Sequence, residues 1–158
     1  MPPNRSPLRD AYSLIEILMV ISVIGIISAI SFPKLAKLKD QAQLTGATTR
    51  FARAVMTARQ AAIQRGRRSY FRHSSSSVWV IVDTTSSDSV IVVSPFSLES
   101  EYGVKVVSPS GVATIEYDPR GVSTQPSKQV FAFKHTNSGS VDSLCVTRLG
   151  NTIRQSCP

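Results

Sequence analysis

The sequence predicts an α+β protein: a long, partly transmembrane N-terminal α-helix packed on antiparallel β-sheets or a small β-sandwich. Three observations predict it. Residues 14–32 form an apolar run. Residues 34–66 carry apolar side chains at helical spacing. From Val78 the chain becomes a series of short β-rich runs separated by turn residues, with no helical pattern between them. A length of 158 residues suits one domain plus an appendage.

From Leu14 to Phe32 every residue is apolar or small except Glu16. As a helix this run is about 28 Å long, close to the roughly 30 Å of a bilayer's hydrocarbon core. Arg5 and Arg9 precede it, and the positive-inside rule keeps that short N-terminus cytoplasmic and sends the rest across. A secretory signal peptide is the competing reading, with "ISAIS" (Ile27 to Ser31) as its cleavage site. The length of the run and Glu16 weigh against it. An acid at mid-membrane costs on the order of 2.5–3.5 kcal/mol, less near the edge. A discarded signal gains nothing from that cost, whereas a retained helix can use the charge if it finds a partner.

Within and just beyond the run, Gly25 and Pro33 are the expected kink positions: proline lacks an N–H and disfavours helical geometry at Phe32. The helix is expected to continue over 34–66. Leu35, Leu38 and Ala42 keep its spacing, and after Gly46 a stripe of Phe51, Val55, Ala58 and Ala62 follows, with Ala52, Met56 and Ile63 beside it. Arg50, Arg53, Arg59 and Arg65 lie largely off the stripe. Gly46 with Thr45, Thr48 and Thr49 marks a point of weakness, and Gly66 a helix stop.

The net charge of +8 is concentrated here. Residues 34–72 hold ten basic residues and one acid, whereas 73–158 hold six basic and seven acidic. Three readings of this basic segment stand open: a solvated helix face, contact of Lys34, Lys37 and Lys39 with lipid headgroups, and neutralisation of DNA phosphates.

Strands are expected at "VWVIV" (78–82), "VIVVS" (90–94), "VKVVS" (104–108), "VATIEY" (112–117), "VFAFK" (130–134), "LCVTRL" (144–149) and "TIRQS" (152–156). Turn chemistry separates them at "SPSG" (108–111), "DPRG" (118–121), "NSGS" (137–140) and Gly150–Asn151. "HSSSS" (73–77) and "TTSSDS" (84–89) read as polar loops, and Trp79 as core. Cys145 and Cys157 flank the last hairpin. Beyond a membrane they suit one disulfide, worth roughly 2–3 kcal/mol; in a cytosolic chain they would be two free thiols. His73 and His135 are isolated, and no HExxH, phosphate-binding glycine loop or GxSxG is present. No enzyme, cofactor or metal site is expected.

"AYSLIE" (Ala11 to Glu16) followed by the apolar helix resembles the processing motif of type IV prepilins and type II secretion pseudopilins, with Ala11 where that family more often has Gly. The resemblance implies that a prepilin peptidase cuts between Ala11 and Tyr12 and that the new amine of Tyr12 is N-methylated. It also implies that Glu16 meets that ammonium on a neighbouring subunit during assembly.

"RFARAVMTARQAAIQRGRRSYF" (50–71), with Ala58, Arg59, Ala62 and Ile63 before the first strand, and "IEYDPRG" (115–121) are similar to the GspH/FimT branch. The implied organisation is a leader (1–11), a membrane and filament-core helix (12–33), its amphipathic continuation (34–66) and an antiparallel β domain (67–158). The chain would sit in the inner membrane as a single pass, N-terminus cytoplasmic and β domain periplasmic, and then enter a pilus or pseudopilus. Implied partners are other pilin subunits, the peptidase, the inner-membrane assembly platform and lipid. The alternative is a FimT-like minor pilin that binds DNA for uptake, through Arg148, Arg154, Lys128 and Lys134. Here "GNTIR" (150–154) stands where those relatives carry G-R-x-R, with Asn151 replacing the first arginine.

Overall fold

The computed structural model describes residues 13–74, 77–85 and 88–154. It divides into two compact units, residues 1–37 and 38–158. Helix α1 (Leu14–Arg65) contributes to both. It stops where the sequence predicts: Gly66 adopts φ of 60°, and the N–H of Arg67 donates to Ala62 O at 3.2 Å, a left-handed helix end.

Among its described residues the second unit holds, after α1, eight strands and one short helix: β1 (Ser69–His73), β2 (Val78–Thr85), β3 (Asp88–Phe96), α2 (Leu98–Tyr102), β4 (Val104–Ser108), β5 (Ala113–Tyr117), β6 (Gln129–His135), β7 (Val141–Val146) and β8 (Thr152–Arg154). They form two four-stranded antiparallel sheets, ordered β3-β2-β1-β5 and β4-β6-β7-β8. The α+β fold with a long helix packed on antiparallel sheets is the one the sequence predicts.

The core forms where α1 meets both sheets. Phe51, Val55, Ala58 and Ala62 are all fully buried, as the stripe requires. Phe51 is its hub. Its ring lies 4.9 Å from Phe71 on β1, and 4.8 and 5.0 Å from Phe131 and Phe133 on β6. Small residues at Ala47, Ala54, Ala58 and Ala62 let the helix backbone approach the sheets, and Phe51 fills the space between them.

Several sequence expectations need correction. Leu35, Leu38 and Ala42 are exposed; the buried face around Gly46 is Leu44, Ala47 and Thr48 instead. The helix does not break at Gly46. The residue serves a close approach there: a Cβ at Gly46 would lie 2.9 Å from the Tyr102 ring, so glycine lets α2 lie against α1. Trp79 is not core, because Val78, Val80 and Val82 take the inward positions of β2 and alternation turns Trp79 outward, opposite Arg72.

His73 belongs to β1 and not to a loop, and β3 begins at Asp88 inside the stretch read as polar. β7 spans 141–146, so Thr147 to Leu149 belong to the following turn. Residues 155–156 of the last expected strand lie outside the described residues.

The turns behave as their residues dictate. In "DPRG" the Asp118 carboxylate accepts from the N–H of Val122 at 2.9 Å and of Arg120 at 3.0 Å, and Gly121 takes φ of 76°. These bonds, the one from Val122 first, hold the Asp118 carboxyl below its usual range. Ser97 caps α2 by accepting from Ser100 N at 3.2 Å, and Gly103 ends it in the left-handed conformation.

Candidate assembly helix and loop clamp

The first unit is dominated by apolar surface on every side of its helix. Leu14, Ile15, Ile17, Leu18, Met19, Val20, Ile21, Val23, Ile24, Ile26, Ile27 and Phe32 are all exposed. A helix apolar all round needs lipid or other helices to cover it. Its hydroxyls suit such surroundings: Ser22 donates to Leu18 O at 2.7 Å and Ser31 to Ile27 O at 2.9 Å, so neither needs water. A Cβ at Gly25 would meet nothing within 4 Å, so this molecule alone gives that glycine no steric duty.

Glu16 lies in the first helical turn, where a carboxylate complements the helix dipole. Its carboxylate is exposed and has no partner among the described residues. Ala11 and Tyr12 lie outside the described residues. The helix bends between Ala29 and Lys34, around Pro33. No single described helix is long and apolar enough to cross a membrane; Leu14–Ala29 and Lys34–Arg65 pass the length and composition test only as a bent pair.

In the second unit a clamp gathers around Arg59. Its Nε donates to Gly121 O at 3.1 Å. A Cβ at Gly121 would lie 2.6 Å from Ile63 Cδ1, and one at Gly150 would lie 2.7 Å from Arg59 Cδ and 3.3 Å from the Tyr117 ring. Both glycines have positive φ. The helix thus holds two turns, "DPRG" and the β7–β8 hairpin, through one arginine and two residues without side chains. The Tyr117 hydroxyl is buried here, and burial pushes its pKa up to about 12, with Arg59 acting in the opposite direction.

His135 is not isolated as the sequence suggested. It is buried; Nδ1 accepts from Ser138 N at 3.2 Å, while Nε2 faces Gln43 Oε1 at 3.1 Å and Asp40 Oδ1 at 3.9 Å. With Nδ1 accepting from the Ser138 N–H, Nε2 is the ring's donor nitrogen and Gln43 Oε1 its acceptor. This ties the β6–β7 turn to α1 across 92 residues of sequence, a separation that no local pattern spans. Among the described residues no group of three His, Cys, Asp or Glu could hold a metal ion.

The four basic residues singled out at the C-terminal end do not share one face of the sheet: Arg154 and Lys134 lie on opposite faces, while Lys128 and Arg148 flank the same end of the β6–β7 pair. Arg154 Nη2 donates to Asp142 Oδ2 at 2.7 Å and to Thr45 Oγ1 at 3.4 Å, in the row Phe131–Leu144–Arg154 that faces the core. Lys134 pairs with Lys105 and Val141 on the opposite face. Lys128 precedes β6, about 20 Å of extended chain from Lys134. Arg148 is exposed in the β7–β8 turn. Cys145 is buried and not a free thiol, and Cys157 lies outside the described residues.

A family model for the type II transport protein GspH matches residues 47–150. The chain belongs to the GspH family. The match runs from Ala47, just after the glycine that seats Tyr102, to Gly150 in the last hairpin, and so takes in the Phe51 core and the whole Arg59 clamp. Among solved structures, the chain has the fold of the type IV minor pilin FimU of Pseudomonas aeruginosa strain PAO1. One crystal form gives a TM-score of 0.59 at 13% identity, covering 75% of this chain and 92% of that one. A second gives 0.52 at 13% identity, covering 72% and 93%. At that identity the likeness is one of fold. No curated protein matches.

For this GspH-family chain the clamp makes a specific expectation. Arg59→Ala removes one hydrogen bond and the alkyl stem beneath Gly150. It should lower stability by about 1–2 kcal/mol. Hydrogen exchange should quicken at 118–123 and 147–151 together, while the exchange of β1 and β2 keeps its order relative to the global rate.

Proposed function

We propose that this protein is a minor pilin or pseudopilin, a structural subunit that works by assembly and not by turnover. The observation that carries the reading is the helix of the first unit: apolar on all sides, with a carboxylate near its start that has no partner among the described residues, on a GspH-family chain. In this reading the peptidase cuts between Ala11 and Tyr12, and the methylated Tyr12 amine of one subunit meets Glu16 of another. An unpaired charge in an apolar bundle is strongly disfavoured, so that pairing selects one register. The helix serves as membrane store before assembly and as filament core after it, in a single-pass, inner-membrane topology with the β domain periplasmic. Gly25 and Pro33 let the helix be approached and bent. Cys145 then pairs with Cys157, the chain's other cysteine, and pins the C-terminal hairpin.

Mass spectrometry of the N-terminal peptide from cell envelopes tests the processing step. The expected chain starts at N-methylated Tyr12; a start near Ser31 would mean an ordinary signal peptide and remove Glu16 from the mature protein. Glu16→Ala tests assembly. The variant should accumulate in the membrane at normal level while its recovery in sheared filaments falls at least about tenfold, the effect of roughly 1.4 kcal/mol or more. Recovery equal to wild type would overturn the register role.

A further inference from the structure

β3 is an edge strand of unusual chemistry. Among the described residues it pairs only with β2, so its other side presents unpaired backbone N–H and C=O groups. From Ser89 to Ser94 it reads Ser-Val-Ile-Val-Val-Ser, with no charge and no proline. Val90 and Ile91 are adjacent and so point to opposite faces of the sheet, yet they are 41% and 56% exposed. Val92 and Val93, by contrast, pack against the core. The strand thus emerges apolar on both faces at the place where its edge is open; Asp88 and Pro95 guard its two ends, and the register shifts of its pairing with β2 fall to either side of the regular Val90–Ile91 pair. Such an edge is a template for another strand.

The charges around it identify the occupant. Asp88 opens the strand. Toward its other end, Arg50 and Arg53 line a groove with Val92, Val93, Ser94 and Phe96. Arg50 is engaged, paired with Glu101 and lying 4.4 Å over the Phe96 ring. Arg53 is exposed and has no ion-pair partner among the described residues. An acid at one end, an apolar centre and a spare cation at the other make a self-complementary pattern under a two-fold axis. We infer that β3 is a homotypic docking edge: the β3 strands of two copies of this chain pair antiparallel, and Asp88 of each lies toward Arg53 of the other. Cross-strand contacts then cover Val90 and Ile91 on both faces at once, which neither lipid nor a charged peptide would do. The inference rests on the second unit alone and is independent of the filament reading.

The test is oxidative cross-linking of the full-length chain in native membranes. Val90→Cys places a thiol next to the two-fold axis, and Cys145, not being free, does not compete. Val141→Cys, exposed on β7, is the control for random collision. The expected result is a reducible product of twice the chain mass, at least about tenfold more abundant from Val90→Cys than from the control. Equal yields from both, no product, or a product with a partner of different mass each overturns the homotypic edge. In the Val90→Cys background, Asp88→Arg should cut the yield about fivefold, and adding Arg53→Asp should restore it. A yield indifferent to Asp88→Arg overturns the charge register.

Discussion

Phe51→Ala is expected to lower the stability of the compact unit formed by residues 38–158 by about 3–5 kcal/mol, the usual cost of removing a fully buried phenyl ring. A domain of this size has only about 5–15 kcal/mol in total, so the variant sits near the edge of folding, with a melting temperature lowered by roughly 10–20 °C. The cost should fall at the high end because the ring is a joint and not just filler. It touches Phe71 of one sheet and Phe131 and Phe133 of the other, all fully buried. The alanines around it on α1 offer no side chain long enough to close the gap, so the void persists. Phe51→Leu keeps most of the volume and should cost less than about 2 kcal/mol. Thermal and denaturant unfolding of both variants decides the matter. A loss under about 1 kcal/mol for Phe51→Ala would mean that the two sheets hold each other without the helix.

Much of this architecture is legible in the amino-acid sequence, because it depends on short periods. The stripe Phe51, Val55, Ala58, Ala62 follows the helical repeat, and each of its members is buried. Gly66 stops the helix because nothing else tolerates that backbone so readily. What the sequence hides falls into two kinds. β1 presents Ser69, Phe71 and His73 to the core, a polar-looking set with no apolar run, so periodicity alone does not announce it. Ser69 is tolerated there because its hydroxyl donates to Ala58 O at 2.6 Å.

The other kind is long-range. Gly46 beneath Tyr102, Arg59 against Gly121 and Gly150, and His135 against Gln43 join residues far apart in sequence. Reading Gly46 as a weak point is a local inference about a residue whose reason is tertiary. Arg148, Arg154, Lys128 and Lys134 look like a set in a linear reading, but strand parity sends Arg154 and Lys134 to opposite faces.

His73→Leu is expected to change the pH dependence of stability more than stability itself. His73 is 1% exposed, packed against Phe51 and Phe131, and neither ring nitrogen has a hydrogen-bond partner among the described residues. Burial holds its pKa below the usual value of 6.5. The sign follows from proton counting. In the unfolded chain the ring takes up a proton as pH falls through about 6.5, while the folded ring stays neutral until the pH reaches its lower pKa. Between those two values the unfolded state binds more protons, so acidification favours unfolding, by up to about 1.4 kcal/mol for each pH unit. Above about pH 7 the group contributes no pH dependence. Leucine removes the titration and relieves two unsatisfied nitrogens, so at about pH 7.5 the variant should be as stable as wild type or more stable by on the order of 1 kcal/mol. Its advantage should then widen as the pH falls below about 6.5, until the folded ring also takes up its proton. Denaturant unfolding of both proteins across that range measures the difference directly. A constant gap would show that the folded ring accepts its proton as easily as the unfolded one, and parallel curves would place the acid sensitivity of this fold elsewhere.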